Sequence, residues 1–164
     1  METATPTMNT ARQSRQDPQF VELVGKHYPI TELMRADIEI AEPVRDRGID
    51  LVAYVDLDSA IGRFLARPIQ LKANWQTGFA FDRKYQKIHD LIIAYVWSLD
   101  DPTRTVTYAL TWPEICGLAS ECGWAWEAGG RWAITRPGKD LTSRLEAFRM
   151  TPEKWWTKLT GSAT

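Results

Sequence analysis

The chain has 164 residues, of which 44% are hydrophobic and 25% charged, a balance that lets one domain bury a real core. Its formal net charge of −1 excludes a strongly basic nucleic-acid coat and leaves room for a local basic patch. Two cysteines, Cys116 and Cys122, with only His27 and His89 beside them, match neither a zinc knuckle nor a disulfide framework and read as reduced thiols.

Residues 1–18 are rich in Thr, Gln, Ser and Arg and lack the apolar centre of a signal peptide. They are expected to form a flexible tail ahead of a single domain over residues 19–161. No run approaches the roughly 20 apolar residues needed to cross a bilayer, so a cytoplasmic protein without a membrane partner is expected. Phe20, Leu23, Val24 and His27 recur at helical spacing, and Ile30, Leu33 and Met34 start a second helical phrase. Pro29 is expected to separate the two, because it lacks an N–H and clashes with the turn before it. Glu32 lies in the second phrase, where a solvated first-turn carboxylate is its ordinary fate.

Ile38, Ile40 and Pro43-Val44 read as a short edge strand. Residues 49–55 and 64–71 then bracket a polar loop around residues 56–62, forming a hairpin. If it pivots near Ala60, facing residues have numbers summing to about 120, which sets Asp50 opposite Gln70. Side chains alternate along a strand, so Gln70 and Lys72 share a face and Leu71 points the other way. Asp50, Gln70 and Lys72 should converge.

Residues 74–80 read as a loop, followed by a short basic segment over 81–87 with Tyr85 inside it. Residues 91–97 form a continuous apolar strand of the kind buried on both faces. Residues 105–110 give another strand, and Thr111-Trp112-Pro113-Glu114 opens a helix ending near Gly123. Ala128-Gly129-Gly130 between two Trp-rich segments signals a hairpin. A helix over 142–148 precedes a last one, with Thr151 as N-cap and Pro152 in its first turn. The fold class is therefore α/β, a mixed sheet flanked by helices. Of the eight Trp residues, Trp155 and Trp156 read as the core seal of the last helix.

The hairpin end can hold a hard cation. Mg²⁺ takes oxygen ligands and usually only one or two protein carboxylates. Asp50 would supply the charged ligand, Gln70 a side-chain oxygen and Leu71 its backbone carbonyl, while Lys72 would orient a water and offset developing charge. These parts suit phosphodiester hydrolysis.

Asp50 in Gly48-Ile49-Asp50-Leu51-Val52-Ala53-Tyr54, followed by Gln70-Leu71-Lys72, resembles the PD-(D/E)XK nuclease superfamily, which includes restriction endonucleases and Holliday-junction resolvases. The resemblance covers residues 31–97. It implies a restriction endonuclease-like core, an endonuclease using Mg²⁺ or Mn²⁺, and nucleic acid as partner, DNA being favoured. It also implies Asp50, Gln70, Lys72 and Glu32 as catalytic residues. Asp50, Gln70, Glu32 and the Leu71 carbonyl would hold the metal, and Glu32 is preferred to Glu22 as the helix acid because it lies nearer the first strand. Arg83, Lys84 and Lys87, otherwise a solvated face, become contacts to the phosphate backbone. Many members of the superfamily act as homodimers. Residues 105–161 resemble the tail of a group of small bacterial proteins of the same cast, which adds no mechanism.

Two departures stand out. Ile49 replaces the Pro before the Asp, and Gln70 replaces the usual second carboxylate. The latter keeps an inert nucleic-acid- or protein-binding descendant as the second reading. A small-molecule pocket lined by the C-terminal Trp residues is a third.

Overall fold

The computed structural model describes residues 17–45, 47–55, 62, 64–124 and 130–161. The pivot of the central hairpin, the Ala128-Gly129 turn and the first sixteen residues of the tail lie outside the described residues. Helix α1 spans Pro18–Arg35 and strand β1 spans Glu39–Ala41. Strands β2 (Leu51–Val55), β3 (Leu65–Ala73) and β4 (Phe79–Asp82) lead into a 3-10 turn at Arg83–Lys87. Then come β5 (Ile92–Trp97), β6 (Val106–Thr111) and α2 (Trp112–Glu121). Strand β7 (Arg131–Ile134), helix α3 (Lys139–Leu145), a 3-10 turn at Glu146–Phe148 and α4 (Pro152–Thr160) complete the described chain. Among the described residues no helix is long and apolar enough to cross a membrane.

Five strands form one mixed sheet in the order β1-β2-β3-β5-β6. Only the β3–β5 pair is parallel, and the others are antiparallel. Strand β5 is buried along its whole length, as its unbroken apolar run requires. Its even-numbered Ile92 and Ala94 join Leu33, Leu51, Ile69, Trp155 and Leu159 on one face. Ile93, Tyr95 and Trp97 join Phe79, Phe81, Tyr85 and Ile115 on the other. The sheet is thus covered on both sides, by α1 and α4 on one face and by the β4–β7 ribbon with α2 and α3 on the other.

The hairpin register agrees with the sequence expectation: Leu51 pairs with Ile69 and Ala53 with Arg67. The first helix does not. Pro29 lies inside one continuous helix of 18 residues that is capped by Asp17, whose carboxylate accepts from the Gln19 N–H. The helix therefore begins at Pro18, the last residue given to the tail. The physical reason for the unbroken helix is packing: Gly25, Pro29 and Leu33 recur every fourth residue and form the buried stripe facing the sheet. That gain outweighs the single hydrogen bond Pro29 forgoes. Segment 74–80, read as a loop, instead yields strand β4 at its end, and β4 pairs with β7, Phe81 facing Trp132. The Trp-rich C-terminal segment thus finds its partner far back in the chain.

Gly25 lets α1 approach β3, because a Cβ there would overlap the Ala73 methyl. Gly25→Ala is expected to cost about 1–3 kcal/mol through overpacking. Gly117→Ala, in α2 where a Cβ meets open space, is expected to gain about 0.4–1 kcal/mol. Urea unfolding of the two variants should shift the midpoint in opposite directions.

Candidate functional site

The site forms where the β2–β3 ladder stops. Gly48, in the left-handed region at φ 88°, turns the chain so that Asp50 enters just ahead of β2. The Asp50 N–H donates to the Ile69 carbonyl at 2.9 Å, and beyond that point β3 continues alone on this side. Strand backbone groups point the same way every second residue, so the Leu71 N–H and C=O face the vacated edge. The Asp50 carboxylate fills it: Oδ2 accepts from the Leu71 N–H at 2.5 Å and from Gln70 Nε2 at 2.5 Å. Gln70 Nε2 also donates to the Leu71 carbonyl at 3.1 Å. A positive amide edge therefore sits between two oxygens, the carboxylate and the carbonyl.

The amide orientation follows from this network, since an oxygen in place of Nε2 would face Asp50 without a donor. The same two oxygens are those a hard cation would use. With a cation between them, rotation of the Gln70 amide would bring Oε1 into the place of Nε2. One carboxylate, one carbonyl and one amide oxygen, with water completing the shell, suit Mg²⁺. Among the described residues no three His, Cys, Asp or Glu side chains gather into one cluster, so such a site would rest on these mixed oxygens.

Asp50, Leu71 and Lys72 line a cleft of about 450 Å³ together with Glu22 and Lys26 of α1. Lys26 is paired with Glu42 at 2.7 Å. The Lys72 ammonium lies 5.3 Å from the centroid of the Tyr85 ring, a cation–π contact that fixes its direction. The acid that α1 brings to this cleft is Glu22.

Glu32, the helix acid favoured from the sequence, stands elsewhere. Ten residues of helix separate it from Glu22, about 15 Å along the axis. It accepts from Trp155 Nε1 at 3.1 Å and lines a different cavity with Tyr28, Arg35 and Met150. The expected break at Pro29 would have allowed the second phrase to swing toward the hairpin, but the continuous helix fixes Glu32 at the α4 end. Glu22 was legible in principle, since Asp17-Pro18 marks a helix start and the Gly25, Pro29, Leu33 stripe continues it.

The sequence matches no family model and no curated protein. Among solved structures the chain is similar to a bacterial homing endonuclease, I-Ssp6803I, at 15% identity, covering 90% of this chain and 94% of that one with a TM-score of 0.49.

Burial raises the Glu32 carboxyl above its ordinary range, opposed in part by the Trp155 N–H and the nearby Arg149 and Arg35 charges. The native state therefore holds this proton more tightly than the unfolded chain. Its contribution to stability is full at low pH and declines as pH rises from the ordinary glutamate value, about 4.3, toward the folded value. Glu32→Gln keeps an oxygen for the Trp155 N–H and removes the charge. It is expected to unfold at higher urea than wild type at neutral pH and to lose that advantage in mild acid.

The basic segment divides. Lys84 Nζ lies 5.0 Å from the Tyr85 centroid, so it shares that ring with Lys72. Arg83 and Lys87 are exposed on the same turn, and the Arg83 N–H donates to the Gly130 carbonyl at 2.7 Å. Among the described C-terminal aromatics, Trp155 is fully buried, and Trp124 stacks on Trp132 at 3.8 Å. Cys116 and Cys122 are free, and burial pushes both thiols up.

Proposed function

We propose that the protein is a metal-dependent nuclease that hydrolyses phosphodiester bonds, with DNA as the favoured substrate. The observation that carries this reading is the Gln70 amide bridging Asp50 Oδ2 and the Leu71 carbonyl in a cleft that also holds Lys72. Asp50, the Leu71 carbonyl and the rotated Gln70 amide would hold Mg²⁺ or Mn²⁺, with Glu22 in the place first given to Glu32. When bound, such a cation polarises a phosphate oxygen and lowers the pKa of an attacking water. Lys72, held against Tyr85, would orient that water and stabilise the charge that builds on the phosphate. Lys84 would touch the backbone, with Arg83 and Lys87 as outer contacts on the same turn.

The test is cleavage of plasmid, linear duplex, single-stranded DNA and RNA, each with Mg²⁺, with Mn²⁺ and with chelator. Cation-dependent cleavage that falls about 10²–10³-fold in Lys72→Ala is expected. Absence of cleavage on all four would leave an inert binding module as the better account, and cleavage unchanged in Asp50→Ala and Lys72→Ala would contradict a nuclease site at these residues.

A further inference from the structure

Beside the cleft lies a second cavity of about 200 Å³, lined by Lys72, Lys84, Tyr85, Asp82 and Arg131 among others. Its residues come from three places in the chain. Lys72 lies one residue before the end of β3, Asp82, Lys84 and Tyr85 belong to β4 and its 3-10 turn, and Arg131 opens β7. The β4–β7 pairing assembles it, with Asp82 opposite Arg131. Lys72 lines both this cavity and the cleft of Asp50, so the two are neighbours that share this side chain.

Charge is the feature that needs explaining. Two ammonium groups converge on one ring, Lys72 at 5.3 Å and Lys84 at 5.0 Å from the Tyr85 centroid. Like charges gathered around one cavity repel, and an anion bound among them relieves that repulsion. Tyr85 itself is 3% exposed, so its ring is a fixed floor on which both stems rest. Among the described residues neither Lys72, Lys84 nor Arg131 forms an ion pair, whereas Lys26, Arg67, Arg144 and Lys158 all do. Asp82, the acid of the cavity, is turned to the backbone, where Oδ1 accepts from the Lys84 N–H at 2.8 Å and caps the turn. The cavity thus gathers three positive side chains on a rigid floor, in a space suited to one small anion.

We propose that this cavity is a subsite for a single backbone phosphate, next along the strand from the phosphate in the Asp50 cleft. Resting on the nuclease reading, it adds Arg131 as a substrate-positioning residue and makes the β4–β7 ribbon the arm that fixes the strand's path. Lys84 and Arg131 act on one phosphate together, so their effects are not independent.

The experiment is binding of a fluorescein-labelled DNA duplex in chelator, where no cleavage occurs, across a series of salt concentrations. Lys84→Gln and Arg131→Gln are each expected to weaken binding roughly ten-fold at low salt. The double variant is expected to reduce the slope of log affinity against log salt by about 1, the value for one phosphate, rather than about 2. Lys154→Gln, on the exposed side of α4, should leave the slope at its wild-type value. A slope unchanged in the double variant, or reduced by about 2, would overturn the shared subsite while leaving the nuclease reading intact. Displacement of the duplex by stoichiometric nucleoside diphosphate would also overturn it, assigning the cavity to free phosphate esters. A wild-type protein that binds no duplex would overturn the subsite, while the nuclease reading stands or falls on cation-dependent cleavage of the four substrates.

Discussion

Replacing Gln70 with Glu is expected to tighten divalent-cation binding at least about ten-fold and, without the cation, to weaken the fold. The amide nitrogen now lies 2.5 Å from Asp50 Oδ2 and donates to it. A carboxylate there turns that attraction into repulsion between two acids in contact. At 4 Å and an effective dielectric of 20, two unit charges interact by about 4 kcal/mol. The cleft is open to solvent, so only part of this is realised, but about 1.4 kcal/mol suffices for a ten-fold change in affinity. Without metal the pair is expected to share a proton, raising the apparent pKa of one acid. Calorimetric titration of Mn²⁺ should therefore show a lower Kd for Gln70→Glu than for wild type, falling away steeply in mild acid. Unfolding in chelator should occur at lower urea than for wild type. Equal affinity in the two proteins would mean that position 70 does not face the cation.

The second large effect is expected at Trp155. It is among the largest fully buried side chains, seals α4 against the sheet with Leu33 and Leu159, and donates its indole N–H to Glu32. Trp155→Ala is expected to cost about 3–5 kcal/mol, a large fraction of the 5–15 kcal/mol typical of a domain. Trp155→Phe should cost less at low pH, because Glu32 is then protonated and needs no donor for a charge. Its cost should grow as pH rises and the carboxylate forms beside an apolar ring. Urea midpoints for the two variants across pH separate the lost volume from the lost hydrogen bond. Were the Phe variant's cost independent of pH, the Trp155–Glu32 bond would carry no charge-dependent stabilisation.

The contrast between Asp50 and Glu32 shows which parts of the site were legible in the sequence. The Asp50–Gln70 convergence follows from strand alternation and hairpin register, local rules that need only a pivot position, and Leu51 does pair with Ile69. The buried β5 strand was equally plain from its unbroken apolar run. Glu32 was misplaced because its location depends on whether Pro29 breaks a helix. That outcome was decided by the fit of Gly25, Pro29 and Leu33 against the sheet, a tertiary effect that local propensity does not contain. Arg131 was not singled out for a similar reason. Its route to Lys72 runs through the β4–β7 pairing, between segments about fifty residues apart in sequence, with a 3-10 turn and Tyr85 between them. Tyr85 was visible inside the basic segment, but its burial beneath two lysines was not, because nothing in that segment says which side faces the core.

The proposed nuclease chemistry requires Asp50 and the Leu71 carbonyl to hold a divalent cation where the Gln70 amide now lies. Electron paramagnetic resonance of Mn²⁺ titrated into wild type, Asp50→Asn and Glu32→Gln tests it most directly. Asn at position 50 can still accept from the Leu71 N–H, so the fold is retained while the ligand charge is lost. One bound Mn²⁺ per chain in wild type and in Glu32→Gln, and none in Asp50→Asn, is the predicted result. Binding that survives Asp50→Asn, or that disappears in Glu32→Gln, would contradict it.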